Sequence, residues 1–151
     1  MGLVVAGAAV LWAVALPAAA YAAALDSRPA RLLTLAVYGL GGAICHQRDE
    51  RSFHLFAEQL PVCARCTGLY AGAALAALWY VSRPRLTPVS ASGLTTAARR
   101  LLAVAALPMA ASIVYEWTTG DVPSNLARAA TGIVLGAAVA HVILAAVDST
   151  R

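Results

Sequence analysis

A chain of 151 residues that is 61% hydrophobic and 12% charged carries about half the charge of a soluble domain of that size. With a mean hydropathy of +0.75, its long apolar runs read as membrane spans rather than as one buried core. The net charge of +4 rests on arginine, with no lysine in the chain; scattered over short loops with no basic face, it excludes a nucleic-acid partner and fits loop topology and anionic lipid headgroups.

Five apolar segments follow in chain order, predicting an all-α integral membrane bundle of about five transmembrane helices that takes in residues 1–151 as one domain. The first, about Leu3 to Leu25, is long enough to cross some 30 Å of hydrocarbon with tilt. Ala18–Ala20 resembles a signal-peptidase site, but no Lys or Arg precedes the apolar run, so a span is expected rather than a cleaved signal. The second runs from Pro29, which suits a first helical turn, to about His46, with Arg31 snorkelling to the interface. The third is expected from Pro61 to Val81, stopped by Pro84 and Pro88. A linker over Ser90–Thr96 leads to the fourth, Ala97 to Trp117. After a turn-like Thr119–Asn125, the fifth covers Leu126 to Val147.

Counting arginines in the short loops sets the orientation. Arg28, Arg31, Arg83, Arg85, Arg99, Arg100 and Arg151 fall on one face, and Arg48, Arg51, Arg65 and Arg128 on the other. The richer face is expected to be cytoplasmic, which puts the segment from Cys45 to Cys66 outside a prokaryotic cytoplasmic membrane. Gly68/Gly72 and Gly132/Gly136 both form G-x-x-x-G, a spacing that lets helices approach closely in lipid. They are expected to pack helices within the chain, with self-association through either pair as an alternative.

Ile44 to Gly68, ICHQRDERSFHLFAEQLPVCARCTG, stands apart from this background: it holds all three cysteines and two of the three histidines. Residues 45–66 are expected as an extramembrane loop, with Arg48, Asp49, Glu50, Arg51 and Glu58 solvated and Phe53 and Phe56 dipping into the interface. Ends of even spans and starts of odd spans share a membrane face. Cys45-His46-Gln47, Cys63-Ala64-Arg65-Cys66, Glu116, Asn125 and Arg128 should therefore meet there. Glu116 has two readings, an interfacial anchor beside Trp117 or a partner of Arg128 or a loop arginine. Arg128 likewise either snorkels or pairs. His141 is expected to pack against a neighbouring helix, and Ser112 to bond back to its own helix.

Cys63-Ala-Arg-Cys66 is a C-x-x-C pair at an expected helix start. A helix N-terminus and a nearby Arg65 favour thiolate, hence a nucleophile. Close thiolates equally suit zinc, with Cys45 and either His46 or His54 completing four ligands. An odd cysteine count argues against a purely structural disulfide framework. No phosphate loop, Ser-His-Asp order or H-E-x-x-H occurs, so hydrolase templates find no support.

Cys45-His46-Gln47, Arg51-Ser52-Phe53 and Pro61-Val62-Cys63-Ala64-Arg65-Cys66-Thr67-Gly68-Leu69-Tyr70, followed by Gly72, resemble the signature of domain of unknown function 2085, a family of small prokaryotic multi-span membrane proteins. Pro108 to Gly132, with Asn125, Arg128 and Thr131-Gly132, is similar to the family's second region. The resemblance thus covers about Gly39 to Gly136. It implies that the Cys-His-Gln and Cys-x-x-Cys blocks belong together, and it carries no established activity. This chain departs from the pattern where an Asp is expected one turn after the proline: it has Ser112, and Glu116 one turn further on is the candidate replacement.

Three functions compete. The first is a site for zinc or another transition metal on Cys45, Cys63, Cys66 and His46, with His54 as substitute; Gln47, Arg51, Arg65, Glu116, Asn125 and Arg128 would surround it or grip an anion. The second is a membrane thiol–disulfide oxidoreductase with Cys63 as nucleophile, Cys66 resolving and Cys45 relaying. The third is a transporter or accessory subunit with structural cysteines.

Overall fold

Apolar runs that satisfy their own backbone hydrogen bonds are what lipid demands, and among the described residues five helices form. A computed structural model describes residues 1–25, 27–82 and 91–149. The helices are α1 (Gly2–Ala23), α2 (Arg28–Ile44), α3 (Ala64–Ser82), α4 (Ala91–Thr119) and α5 (Asn125–Ser149). Between α2 and α3 lie a short 3-10 turn (Asp49–Arg51) and two strands, β1 (Ser52–Leu55) and β2 (Glu58–Cys63). Arg83, Pro84, Arg85, Pro88, Ser90 and Arg151 lie outside the described residues.

The protein is an all-α membrane bundle. Among the described residues, three helices are long and apolar enough to cross a bilayer: Gly2–Ala23, Thr96–Thr119 and Asn125–Asp148. The other two, 17 and 19 residues long, reach only about 26 and 28 Å. Of these, α3 packs along both α1 and α5, while α4 lies against α5. Large exposed aliphatic side chains such as Leu11, Leu75, Val104 and Leu107 are the surface that hydrocarbon covers.

Local sequence accounts for the helix ends. Ser27 accepts from the Ala30 amide and Pro29 occupies the first turn of α2, a conventional start. Ser124 does the same for α5 through the Ala127 amide. At the end of the bundle remote from the hairpin, the Tyr80 hydroxyl donates to Asp148 at 2.5 Å, tying α3 to α5.

The two G-x-x-x-G pairs face each other across α3 and α5. A Cβ at Gly68 would stand 2.0 Å from the Ala129 carbonyl oxygen, one at Gly72 2.1 Å from that of Ile133, and one at Gly136 1.9 Å from that of Leu69. All four glycines are buried. Their close approach is spent packing α3 against α5 within one chain.

Three boundaries differ from the sequence reading. The third helix begins at Ala64, not Pro61, because Pro61 and Val62 belong to β2. The stretch expected as loop contains an antiparallel hairpin pairing Leu55 with Glu58, His54 with Gln59 and Ser52 with Cys63. The register breaks between Ser52 and His54, opposite Pro61, which has no amide to donate to a ladder. The fourth helix already runs from Ala91, through most of the expected linker. His141 differs too: its side chain is exposed on the outer face of α5 rather than packed.

Val62 is the hinge between this hairpin and the bundle. It is fully buried with Leu16, Ala19 and Val37, and Cys45, Cys66 and Tyr70 pack around the same cluster. Burying a side chain of Val or Leu size is worth roughly 1.5–3 kcal/mol, so this small core fixes the hairpin to α1 and α2.

Candidate functional site

The end of α2 supplies the first thiol. The helix stops at Ile44, and Cys45 adopts extended backbone, its amide still bonded to the Gly41 carbonyl. Stopping there lets Cys45 and His46 leave the helical spiral. Gln47 then turns the chain with φ 48°, a left-handed conformation that costs a non-glycine residue about 1–2 kcal/mol. Its side-chain amide donates to the Tyr38 and Pro61 carbonyls at 3.0 and 2.6 Å, and its own carbonyl accepts from Gln59 Nε2 at 2.7 Å. These bonds hold the strained residue in place.

The start of α3 supplies the other two thiols. Cys63 closes β2 and Cys66 stands in the first turn of the helix. The Cys63 amide donates to the Cys45 sulfur at 3.2 Å, and Thr67 Oγ1 donates to the Cys63 carbonyl at 3.1 Å. All three cysteines are free and half-buried, with their sulfurs within 4.8 Å of one another. A disulfide needs about 2.05 Å, whereas thiolates at 2.3 Å from one tetrahedral ion stand about 3.8 Å apart. The Cys63 thiol is pulled down to about 5, chiefly by a hydrogen bond from Cys66, with Cys45 and the Cys66 and Arg65 amides adding to it against the effect of burial.

The histidines part company. His54 Nε2 lies 2.8 Å from Asp49 Oδ1 on the exposed side of the hairpin, engaged there rather than among the thiols. His46 lines the same cavity as the three cysteines, but only the thiols form the close ligand group among the described residues.

Behind the thiols sits a carboxylate with three guanidinium partners. Glu116 Oε1 accepts from Arg128 Nη2 at 2.8 Å and pairs with Arg51 Nη2 at 2.9 Å, while Oε2 accepts from Arg65 Nη2 at 2.9 Å. Arg128 is 1% exposed and Glu116 8%. The two are buried and pair with each other, as the second of the two sequence readings has it. The same Arg65 nitrogen donates to Ser112 Oγ at 3.1 Å. Ser112 therefore points to the arginine, not back to its own helix, and shares that arginine with Glu116. Asn125 Nδ2 donates to the Ser52 carbonyl at 2.9 Å, pinning the start of α5 to the hairpin.

A cavity of about 330 Å³ opens where these parts meet, at the small end of the range for ligand sites, roughly 300–1,000 Å³. Its wall carries the three thiols, His46 and Gln47, and the arginines 48, 51, 65 and 128. Sequence reasoning named every polar member except Arg48, which is exposed, as its reading as a solvated loop charge has it, and yet lines the cavity. It also overlooked Ser52, whose buried hydroxyl donates to the Arg48 carbonyl at 2.8 Å and ties the turn to β1.

Fold and site together define a helical membrane protein with a cluster of free thiols and paired arginines at one end of its bundle. The profile of the DUF2085 family, described as predicted membrane proteins, matches residues 45–142, and the chain belongs to that family. It is 28% identical over 114 residues to an uncharacterized protein of Methanocaldococcus jannaschii, covering 76% of this chain and 70% of that one. A second uncharacterized protein, from Methanothermobacter thermautotrophicus, is 53% identical over 30 residues, 20% of this chain and 27% of the other. No solved structure matches the chain.

Proposed function

We propose that this membrane protein holds one transition-metal ion, zinc first among the choices, on Cys45, Cys63 and Cys66. The observation that carries this reading is the gathering of three free sulfurs within 4.8 Å from two separate chain segments. Thiolate ligands select zinc or another soft ion over magnesium or calcium, and the low value of Cys63 favours the deprotonated ligand. His46 is the protein group on hand for a fourth position, since His54 is held by Asp49. Left to water or substrate, that position would make the centre an open one, as catalytic zinc sites are, and the ion would supply Lewis acidity there.

Metal analysis of purified wild type against a Cys63→Ser/Cys66→Ser variant tests the proposal. About one ion per chain in the first and none in the second is expected; equal, near-zero metal in both refutes it.

A second reading draws on the same low value of Cys63: a thiol–disulfide exchanger with Cys63 as nucleophile, Cys66 resolving and Cys45 relaying. Thiol trapping across redox buffers should then give a reversible disulfide, and cysteines that stay reduced under mild oxidants count against it. In either case we place the thiols at the extracytoplasmic side of a prokaryotic cytoplasmic membrane, on the arginine distribution. A membrane-impermeant maleimide that fails to label intact cells while labelling permeabilised ones would reverse that assignment.

A further inference from the structure

At the cavity, the arginines outnumber the carboxylates that the described residues bring to them. Arg48, Arg51, Arg65 and Arg128 all line the cavity, and among the described residues no carboxylate joins them there. Glu116 stands behind the wall and engages three of the four. Glu50, itself exposed, approaches Arg51 Nε at 3.7 Å, too far for a hydrogen bond. Four guanidinium groups thus face two carboxylates, one of them solvated.

Guanidinium groups do not shed a proton to relieve such crowding, so relief comes from solvent at the exposed Arg48 and, deeper in, from whatever anion enters. The geometry also leaves donors idle. The Nε atoms of Arg65 and Arg128 are buried without a hydrogen-bond partner, and Arg128 as a whole is 1% exposed. A buried unpaired donor costs about 1–3 kcal/mol, more when charged. Each of these two arginines spends Nη2 on Glu116 and also lines the cavity, and a guanidinium carries five N–H donors, more than one carboxylate contact uses. Planar N–H pairs of this kind fit the oxygens of phosphate and carboxylate, and phosphate supplies more oxygens and charge to share among several arginines.

We infer that this cavity binds a phosphate group on Arg48, Arg51, Arg65 and Arg128, carried either by free phosphate or by an anionic lipid headgroup. The inference stands on the arginines and the cavity, so it holds whether or not the thiols carry metal. The lipid source follows from the location of the cavity at one end of a membrane bundle, the free source from its modest volume.

The test is thermal unfolding of the full chain with two probes. Inorganic phosphate is compared with chloride at equal ionic strength in detergent, and phosphatidic acid with phosphatidylcholine in nanodiscs. A rise in midpoint with inorganic phosphate supports a free anion, and a rise with phosphatidic acid alone supports a headgroup. Arg48→Gln and Arg51→Gln leave the Arg128–Glu116 pair intact, and each should weaken the effective probe about tenfold or more, the worth of one charge-assisted hydrogen bond. No shift with either probe, or shifts unchanged in both variants, overturns the inference. Repeating the titration on chelator-treated protein separates the two proposals. Phosphate binding in protein that never contains metal removes the metal reading alone, and metal without any phosphate effect removes this one alone.

Discussion

Arg128 and Glu116 meet across the α4–α5 turn at 2.8 Å, both almost wholly shielded from water. The pair closes the end of the bundle on which the thiols sit. Two further arginines, 51 and 65, lean on the same carboxylate, so one acidic side chain joins the hairpin region, α3, α4 and α5.

Removing that carboxylate should therefore be severe. Glu116→Gln keeps the shape but leaves three cations against a neutral amide. Breaking a buried pair from one side costs about 3–5 kcal/mol. We expect a large fall in unfolding midpoint in detergent, and a midpoint within a degree or two of wild type would show the network to be energetically idle.

The α3–α5 contact makes a second, purely steric case. Gly136→Ala would drive a methyl group into the Leu69 carbonyl, 1.9 Å from where Cβ must go. Overpacking of this kind costs about 1–3 kcal/mol. Gly7 and Gly39 have nothing within 4 Å of the same position, so Gly7→Ala and Gly39→Ala serve as helical controls that should hold or slightly gain stability. Reversible unfolding in mixed micelles distinguishes the sets, and equal losses in all three would count against close packing as the cause.

Cys63 should stand out in its response to pH. Its value of about 5 means that thiolate persists as pH falls, where an ordinary cysteine near 8.5 is protonated. In metal-free protein, iodoacetamide should modify Cys63 at a nearly constant rate from about pH 8 to about pH 6, with the rate halving near pH 5. The linked stability has the matching sign: a depressed folded value favours folding above the unfolded one, and that gain fades as pH drops through about 5. A rate that collapses already near pH 8 would remove the case for an activated thiol.

The hairpin turn offers a stabilising change. Phe56 and Ala57 both hold positive φ, 58° and 65°, the left-handed conformation that two-residue hairpin turns require and that Asn-Gly usually supplies. Ala57→Gly relieves one strained residue and gives back part of the gain in unfolded-chain freedom. A net stabilisation of about 0.5–1 kcal/mol is expected, seen as a higher unfolding midpoint; a lower one would mean that the turn is held by something other than backbone preference.

That same turn explains what the sequence concealed. Helix positions were legible because lipid imposes long apolar runs, and the meeting of Cys45, Cys63, Glu116 and Arg128 followed from which ends of those runs share a face. The hairpin was not, since Phe-Ala carries no turn signal and Pro61-Val62 reads as a helix start. Ser112 was misassigned for another reason: a serine within a helix has a nearby backbone acceptor, and nothing in one dimension announces that Arg65, 47 residues away, competes for it. His54 pairs with Asp49, five residues back, a contact that a loop without strands gave no cause to expect.

Strand β2 passes into α3 with no residue between them, Cys63 ending one and Ala64 opening the other. Neighbouring strand side chains point to opposite faces, so a slip of one residue would swap Val62 for Cys63. Val62 is wedged among Leu16, Ala19 and Val37, and an aliphatic clamp of that kind tolerates no such exchange. The aim of the Cys63 sulfur is thus governed by an oily neighbour that has no chemistry of its own.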